Sequence, residues 1–144
     1  MVNFEQGKSF MDRIVLTDRS QRDPGAVRDA FNDFSALVER FPQSKYAEDS
    51  RQRMLYLKNL LAQHEVHVAD YYMRRGAYVA ASNRARYVVE NYQRAPAVPE
   101  ALAIMAKAYK LMDLDDLSAD ALRVLTVNYP DHPGIKQTAA IQKN

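Results

Sequence analysis

Residues 68–92, Val68-Ala69-Asp70-Tyr71-Tyr72-Met73-Arg74-Arg75-Gly76-Ala77-Tyr78-Val79-Ala80-Ala81-Ser82-Asn83-Arg84-Ala85-Arg86-Tyr87-Val88-Val89-Glu90-Asn91-Tyr92, hold two helical patterns on either side of one glycine. In the second pattern Ala81, Ala85, Val88 and Tyr92 follow at steps of 4, 3 and 4, which places them on one face of an α-helix. A small residue at the head of that stripe lets a neighbouring helix approach closely. Two more segments repeat the pattern: Ala30, Phe34, Leu37 and Phe41 before Pro42, and Ser118, Leu122, Leu125 and Tyr129 before Pro130. A proline just past the last turn stops the helix.

Twelve residues ahead of the small residue, two copies share a second element. Val68-Ala69 with Tyr72 precedes Ala81, and Met105-Ala106 with Tyr109 precedes Ser118. This arrangement resembles the tetratricopeptide (TPR) consensus, a helix–turn–helix unit of about 34 residues. The expected fold is therefore all-α: a TPR-like helix-turn-helix solenoid of about three repeats, a short C-terminal capping helix and one long helix near residues 45–75. Read as a single domain over 1–144, it divides into a first repeat at 1–42, a second at 43–94, a third at 95–130 and a cap at 131–144.

The boundaries follow from local chemistry. The stretch from Lys45 to Arg75 contains neither Gly nor Pro and carries an apolar seam at Met54, Leu57, Leu61, Val68 and Tyr72. It reads as one helix of about 30 residues, roughly 45 Å long, with Ser44 as its N-cap and Gly76 as a left-handed C-cap. Asp23-Pro24 marks an earlier helix start. Pro99 opens a helix running to about Leu111, Asp113 or Asp115 begins the next, which ends at Tyr129, and Ile135 to Gln142 forms the polar cap that a terminal repeat needs. The leading helix of the first repeat is truncated or displaced, to around Phe4–Met11 or further upstream, because the polar run Asp18-Arg19-Ser20-Gln21-Arg22-Asp23 stands where it should be. Met1-Val2-Asn3-Phe4 has neither the basic flank nor the apolar run of a signal peptide. So abrupt an opening reads as a cut from something longer, with Met1 an added start.

Composition narrows the function classes. Twenty basic against 18 acidic residues give a net charge of +2, without the basic excess of a dedicated nucleic-acid binder. Cysteine is absent, which excludes disulfides and thiolate chemistry. No run approaches the 18 or so apolar residues of a membrane span. His64-Glu65-Val66-His67 has its imidazoles at i, i+3 rather than the i, i+4 of a zincin helix. The pair reads as packing or surface, without a metal. Asp113, Asp115 and Asp116 crowd a turn, where capping and the helix dipole account for them. No phosphate cradle or nucleophile motif is present, so the expectation is no catalysis, no cofactor and no metal. Arg74, Arg75, Arg84, Arg86 and Arg94, opposed in sequence only by Glu90 and interleaved with Tyr78, Tyr87 and Tyr92, form the one distinctive surface. Arginine beside tyrosine is the composition that protein interfaces favour.

From Asp18 onward the sequence resembles the BamD (ComL) family, TPR lipoproteins of the outer-membrane β-barrel assembly machine of Gram-negative bacteria. The matching residues are Asp18-Arg19-Ser20 with Arg22-Asp23-Pro24, Ala30-Phe31, Asp33-Phe34, and Leu37-Val38 with Pro42. They continue with Leu57-Lys58, Val68-Ala69, Tyr71-Tyr72, Arg75-Gly76-Ala77 and Asn83-Arg84; beyond about Ala95 the likeness is to TPRs in general. The resemblance implies repeats three to five of a five-repeat protein, at the periplasmic face of the outer membrane and held there only through a lipid anchor outside this chain. It further implies docking on POTRA domains of the barrel-forming partner BamA, through Arg75, Asn83 and Arg84 on the turn between the long helix and the one after it, with the small lipoprotein BamE as a further partner. Arg84, flanking the core positions Ala81 and Ala85, is expected to hold a free guanidinium for that purpose. The rival readings are a TPR adaptor for an unrelated protein or peptide tail and, from another class, a nucleic-acid-binding helical module.

Overall fold

The computed structural model describes residues 24–142, and every regular element among them is an α-helix. In chain order these are α1 (Pro24–Arg40), α2 (Ala47–Arg74), α3 (Tyr78–Asn91), α4 (Val98–Leu111), α5 (Asp115–Asn128) and α6 (Pro133–Ala139). The expected helix around Phe4–Met11, the loop from Asp18 and the Asp23 cap lie outside the described residues. The chain divides into two compact units between His64 and Glu65.

In the first unit, α1 buries Val27, Ala30, Phe34 and Leu37, so the 4-and-3 spacing faces the core as expected. Phe41, one residue past the helix, is 45% exposed instead and lies under the Arg40 guanidinium. The early part of α2 buries Ala47, Leu57, Leu60, Leu61 and Ala62. Ser44 does not cap α2 directly: the helix begins at Ala47, and Ser44 Oγ accepts the Tyr46 N–H at 3.0 Å in the turn before it. Met54 is only half-buried.

In the second unit α3 packs on α4, α4 on α5, and α6 on α4 and α5. α4 is the central helix, with Val98, Ala101, Leu102, Ala103, Ile104, Ala106, Ala108 and Tyr109 all buried. An apolar surface on nearly every side is what a helix with neighbours on several faces requires. The small residue at the head of the repeat stripe performs as its size suggests. Ser118 is buried, and its Oγ donates to the Ala106 carbonyl at 2.8 Å, joining α5 to α4 backbone. At Gly134 of α6 a Cβ would fall 2.6 Å from Ala103 Cβ, so only glycine permits this approach of α6 to α4.

The repeat is written in the backbone as well as in the side chains. After α1, Phe41 N–H bonds Leu37 O, Ser44 N–H bonds Phe41 O and Ala47 N–H bonds Ser44 O. The same three bonds recur as Tyr92 to Val88, Ala95 to Tyr92 and Val98 to Ala95, and again as Tyr129 to Leu125, His132 to Tyr129 and Ile135 to His132. Thus α6 occupies the place of a further repeat's first helix. It is seven residues long, Pro133–Ala139 rather than Ile135–Gln142, and is capped by His132 Nδ1, which accepts the Gly134 N–H.

The turns inside the repeats also match one another. Ala77 N–H reaches Tyr72 O at 2.9 Å and Gly76 N–H reaches Met73 O; Leu114 N–H reaches Tyr109 O at 2.9 Å and Asp113 N–H reaches Lys110 O. Both are Schellman ends, which need a left-handed residue at C′. Gly76 supplies it in one, at φ 75°, and Asp113 in the other, at φ 60°. Asp113 therefore ends α4 rather than opening α5. Leu114 is the N-cap, with no side-chain cap bond, and Asp115 and Asp116 act in the first turn through the helix dipole. Nothing lies within 4 Å of a Cβ at Gly76, so Gly76→Ala is a test of backbone strain alone. It is expected to lower stability by about 1 kcal/mol, read as a lowered midpoint in a thermal melt. An unchanged midpoint would mean the left-handed turn is not required.

A candidate protein-docking face on the α2–α3 hairpin

The end of α2 and the outward side of α3 bring together most of the arginines and tyrosines picked out in the sequence. Arg75 stands at the turn itself, exposed, with its guanidinium carbon 5.1 Å from the centroid of the Tyr71 ring. Four residues along a helix is one turn, so Tyr71 lies under Arg75 by construction of the helix, and the ring face attracts the cation. Tyr71 is itself 47% exposed and meets Tyr72 edge-on at 5.8 Å. Asn83 and Arg84 are placed one step away from the turn, in the second turn of α3, where both are exposed. Of the three residues expected at the turn, only Arg75 stands there.

Arg84 is not free. Its Nη1 donates to Glu65 Oε2 on α2 at 3.0 Å, and while the Arg84 side chain is 46% exposed, that of Glu65 is only 8% exposed. A carboxylate taken out of water must be paired or hydrogen-bonded. Arg84 thus ties α3 to α2, with about half of its side chain left exposed. The pairing fixes the guanidinium in one place, which lowers the entropic cost of any further bond it makes.

Glu65 was invisible as an anchor in the sequence, where it appeared only inside a rejected metal motif. The available signal was its register: Glu65 follows Leu61 by four residues and precedes Ala69 by four, and both of those are buried. The seam drawn through Val68 and Tyr72, which are half-buried, passed it by. His64 is half-buried and His67 exposed, and among the described residues no group of three or more potential ligands could hold a metal ion.

The remaining arginines are also more compensated than the sequence suggested. Besides Glu90, which lies 3.6 Å from Arg86, Asp70 lies 3.4 Å from Arg74 and Glu65 pairs with Arg84. Arg94 is exposed in the turn after α3. Tyr87, 47% exposed, packs edge-on against Tyr92 at 5.9 Å, and Val79, in the first turn of α3, is 62% exposed. The face is therefore a mosaic of paired charge and accessible aromatic surface. It is chemically suited to a protein partner, offering Arg75 as a cation and tyrosine rings as rigid contact area.

Residues 1–125 match the model of the YfiO family, described as outer membrane lipoprotein. The chain belongs to that family. Among its relatives is the outer membrane protein assembly factor BamD of Neisseria meningitidis serogroup B, 47% identical over 137 residues, which are 95% of this chain and 51% of that protein. The factors of the same name from Xylella fastidiosa (strain Temecula1) and Vibrio cholerae are 38% and 37% identical, covering 93% and 89% of this chain and 46% and 53% of theirs. The chain spans about half the length of the curated relatives it matches. No helix among the described residues is long and apolar enough to cross a membrane.

Proposed function

We propose that this chain is a non-catalytic scaffold in the assembly of outer-membrane β-barrel proteins. It works at the periplasmic face of the outer membrane of a Gram-negative bacterium. The observation that carries this reading is the 47% identity to an outer membrane protein assembly factor across 95% of the chain. The finer part of the proposal is that the α2–α3 face docks on POTRA domains of the barrel-forming partner BamA, with BamE as a second protein partner. Arg75 supplies an exposed cation, Asn83 an exposed amide and Arg84 the outer edge of a guanidinium already anchored by Glu65.

The charge pattern favours protein over nucleic acid. Three of the five arginines are engaged by carboxylates, and phosphate affinity depends on cations that can release counterions. The test is a titration of this chain against the isolated POTRA domains. Saturable binding that weakens as salt rises from 50 to 500 mM is expected, because exposed charge pairs are screened within roughly a nanometre. No binding at micromolar concentration would overturn the docking proposal.

A further inference from the structure

The charge pairs on the α2–α3 face are not alike. Arg74 with Asp70 and Arg86 with Glu90 each lie one turn apart on a single helix, at 3.4 and 3.6 Å, with both partners half exposed or more. Pairs of that kind contribute little and hold their side chains loosely. Arg84 instead reaches from α3 to Glu65 on α2, and its acceptor is nearly buried. Nη1 of the guanidinium makes that bond, and among the described residues Arg84 makes no other. The edge formed by Nε and Nη2, which binds an acceptor side-on, is uncommitted among those residues.

A carboxylate beside a docking arginine can act in either of two ways. It can compete with the partner for the guanidinium, or it can hold the guanidinium ready. A competitor would sit where the partner sits and take the side-on edge, whereas Glu65 is only 8% exposed and takes Nη1. We infer that Glu65 is the positioning residue of the docking face. It pins Arg84 through Nη1, so that the Nε–Nη2 edge is set in advance for an acceptor on the partner protein, and Glu65 itself touches no partner. This rests on the docking reading above and adds to it the residue that orients Arg84.

The sign of the effect separates positioning from simple charge. Removing a carboxylate makes the face more basic, which by itself would strengthen attraction to an acidic partner group. An unpinned arginine, however, must give up its rotamer freedom on docking, a loss of roughly 3- to 10-fold in affinity for one long side chain. Glu65 variants are therefore expected to bind more weakly although their face is more positive.

The experiment titrates the isolated POTRA domains with this chain carrying Glu65→Met, which fills a similar volume without a carboxylate oxygen, or Glu65→Gln, which keeps an acceptor oxygen. Each is made in the wild-type and the Arg84→Ala background and read well below its own melting midpoint. Glu65→Met is expected to weaken binding roughly 3- to 10-fold, and Glu65→Gln to bind within about 2-fold of wild type. In the Arg84→Ala background Glu65→Met should change affinity by less than about 2-fold, because no guanidinium remains to be positioned. Wild-type binding that Glu65→Met leaves equal or tighter would overturn this inference alone. So would a Glu65→Gln no better than Glu65→Met, or a Glu65→Met loss undiminished by Arg84→Ala, which marks a merely structural role. Absence of binding by the wild type would overturn the docking reading and this inference with it. A second measurement needs no variant: nitrogen-15 relaxation of the wild type should give Arg84 Nε a clearly higher order parameter than Nε of Arg94, which is exposed in the turn after α3. Equal mobility of the two side chains would also overturn the inference.

Discussion

Arg84→Glu is expected to lower the stability of the second unit by about 2–4 kcal/mol, the largest loss anticipated for any surface-accessible position in the chain. Glu65 is nearly buried and its carboxylate accepts from the Arg84 guanidinium at 3.0 Å. Removing the guanidinium takes an ion-pair partner from a nearly buried carboxylate, and reversing the charge sets a second carboxylate against it. Breaking a fully buried pair costs about 3–5 kcal/mol; the half-exposure of Arg84 admits water and reduces that figure. The measurement is a thermal melt, with a fall of roughly 5–15 °C expected for a chain of this size. Glu65→Gln in the same chain should recover most of the loss, because its amide can donate to the new carboxylate. A melt unchanged by Arg84→Glu would show that Glu65 is satisfied without Arg84. Binding defects of Arg84 variants must therefore be read beside their melts, since the residue serves the fold as well as the face.

The three repeats were legible because their geometry is periodic. Small and apolar residues at steps of 4 and 3 can satisfy only a helix face, and each stripe did turn inward, with Tyr92, Leu122 and Tyr129 half-buried and Phe41 alone of the twelve exposed. Gly76 was legible because a left-handed C-cap favours glycine for steric reasons. Asp113 takes the same conformation, yet aspartate ahead of an apolar run reads equally well as an N-cap, and sequence could not separate the two ends. The Arg84–Glu65 pair was hidden for a different reason. Its partners are 19 residues apart on different helices, a distance no local spacing encodes, and a charged residue in a long helix reads as solvated.

Arg75→Glu is expected to weaken binding to the POTRA domains by 30-fold to several-thousand-fold, about 2–5 kcal/mol. Its effect on stability should stay within about 0.5 kcal/mol. Arg75 is exposed at the α2–α3 turn and is held over the Tyr71 ring rather than by a buried carboxylate, so the fold loses little when it changes. A docked acidic group would lose a two-pronged bond that lysine cannot reproduce and would meet a like charge instead. Arg75→Lys should accordingly recover only part of the affinity. The most direct test of the docking face is a calorimetric titration of the POTRA domains with wild type and Arg75→Glu, alongside thermal melts of both. Loss of affinity at an unchanged melting temperature is the predicted result; equal affinity of the two proteins would contradict a docking role for the α2–α3 face.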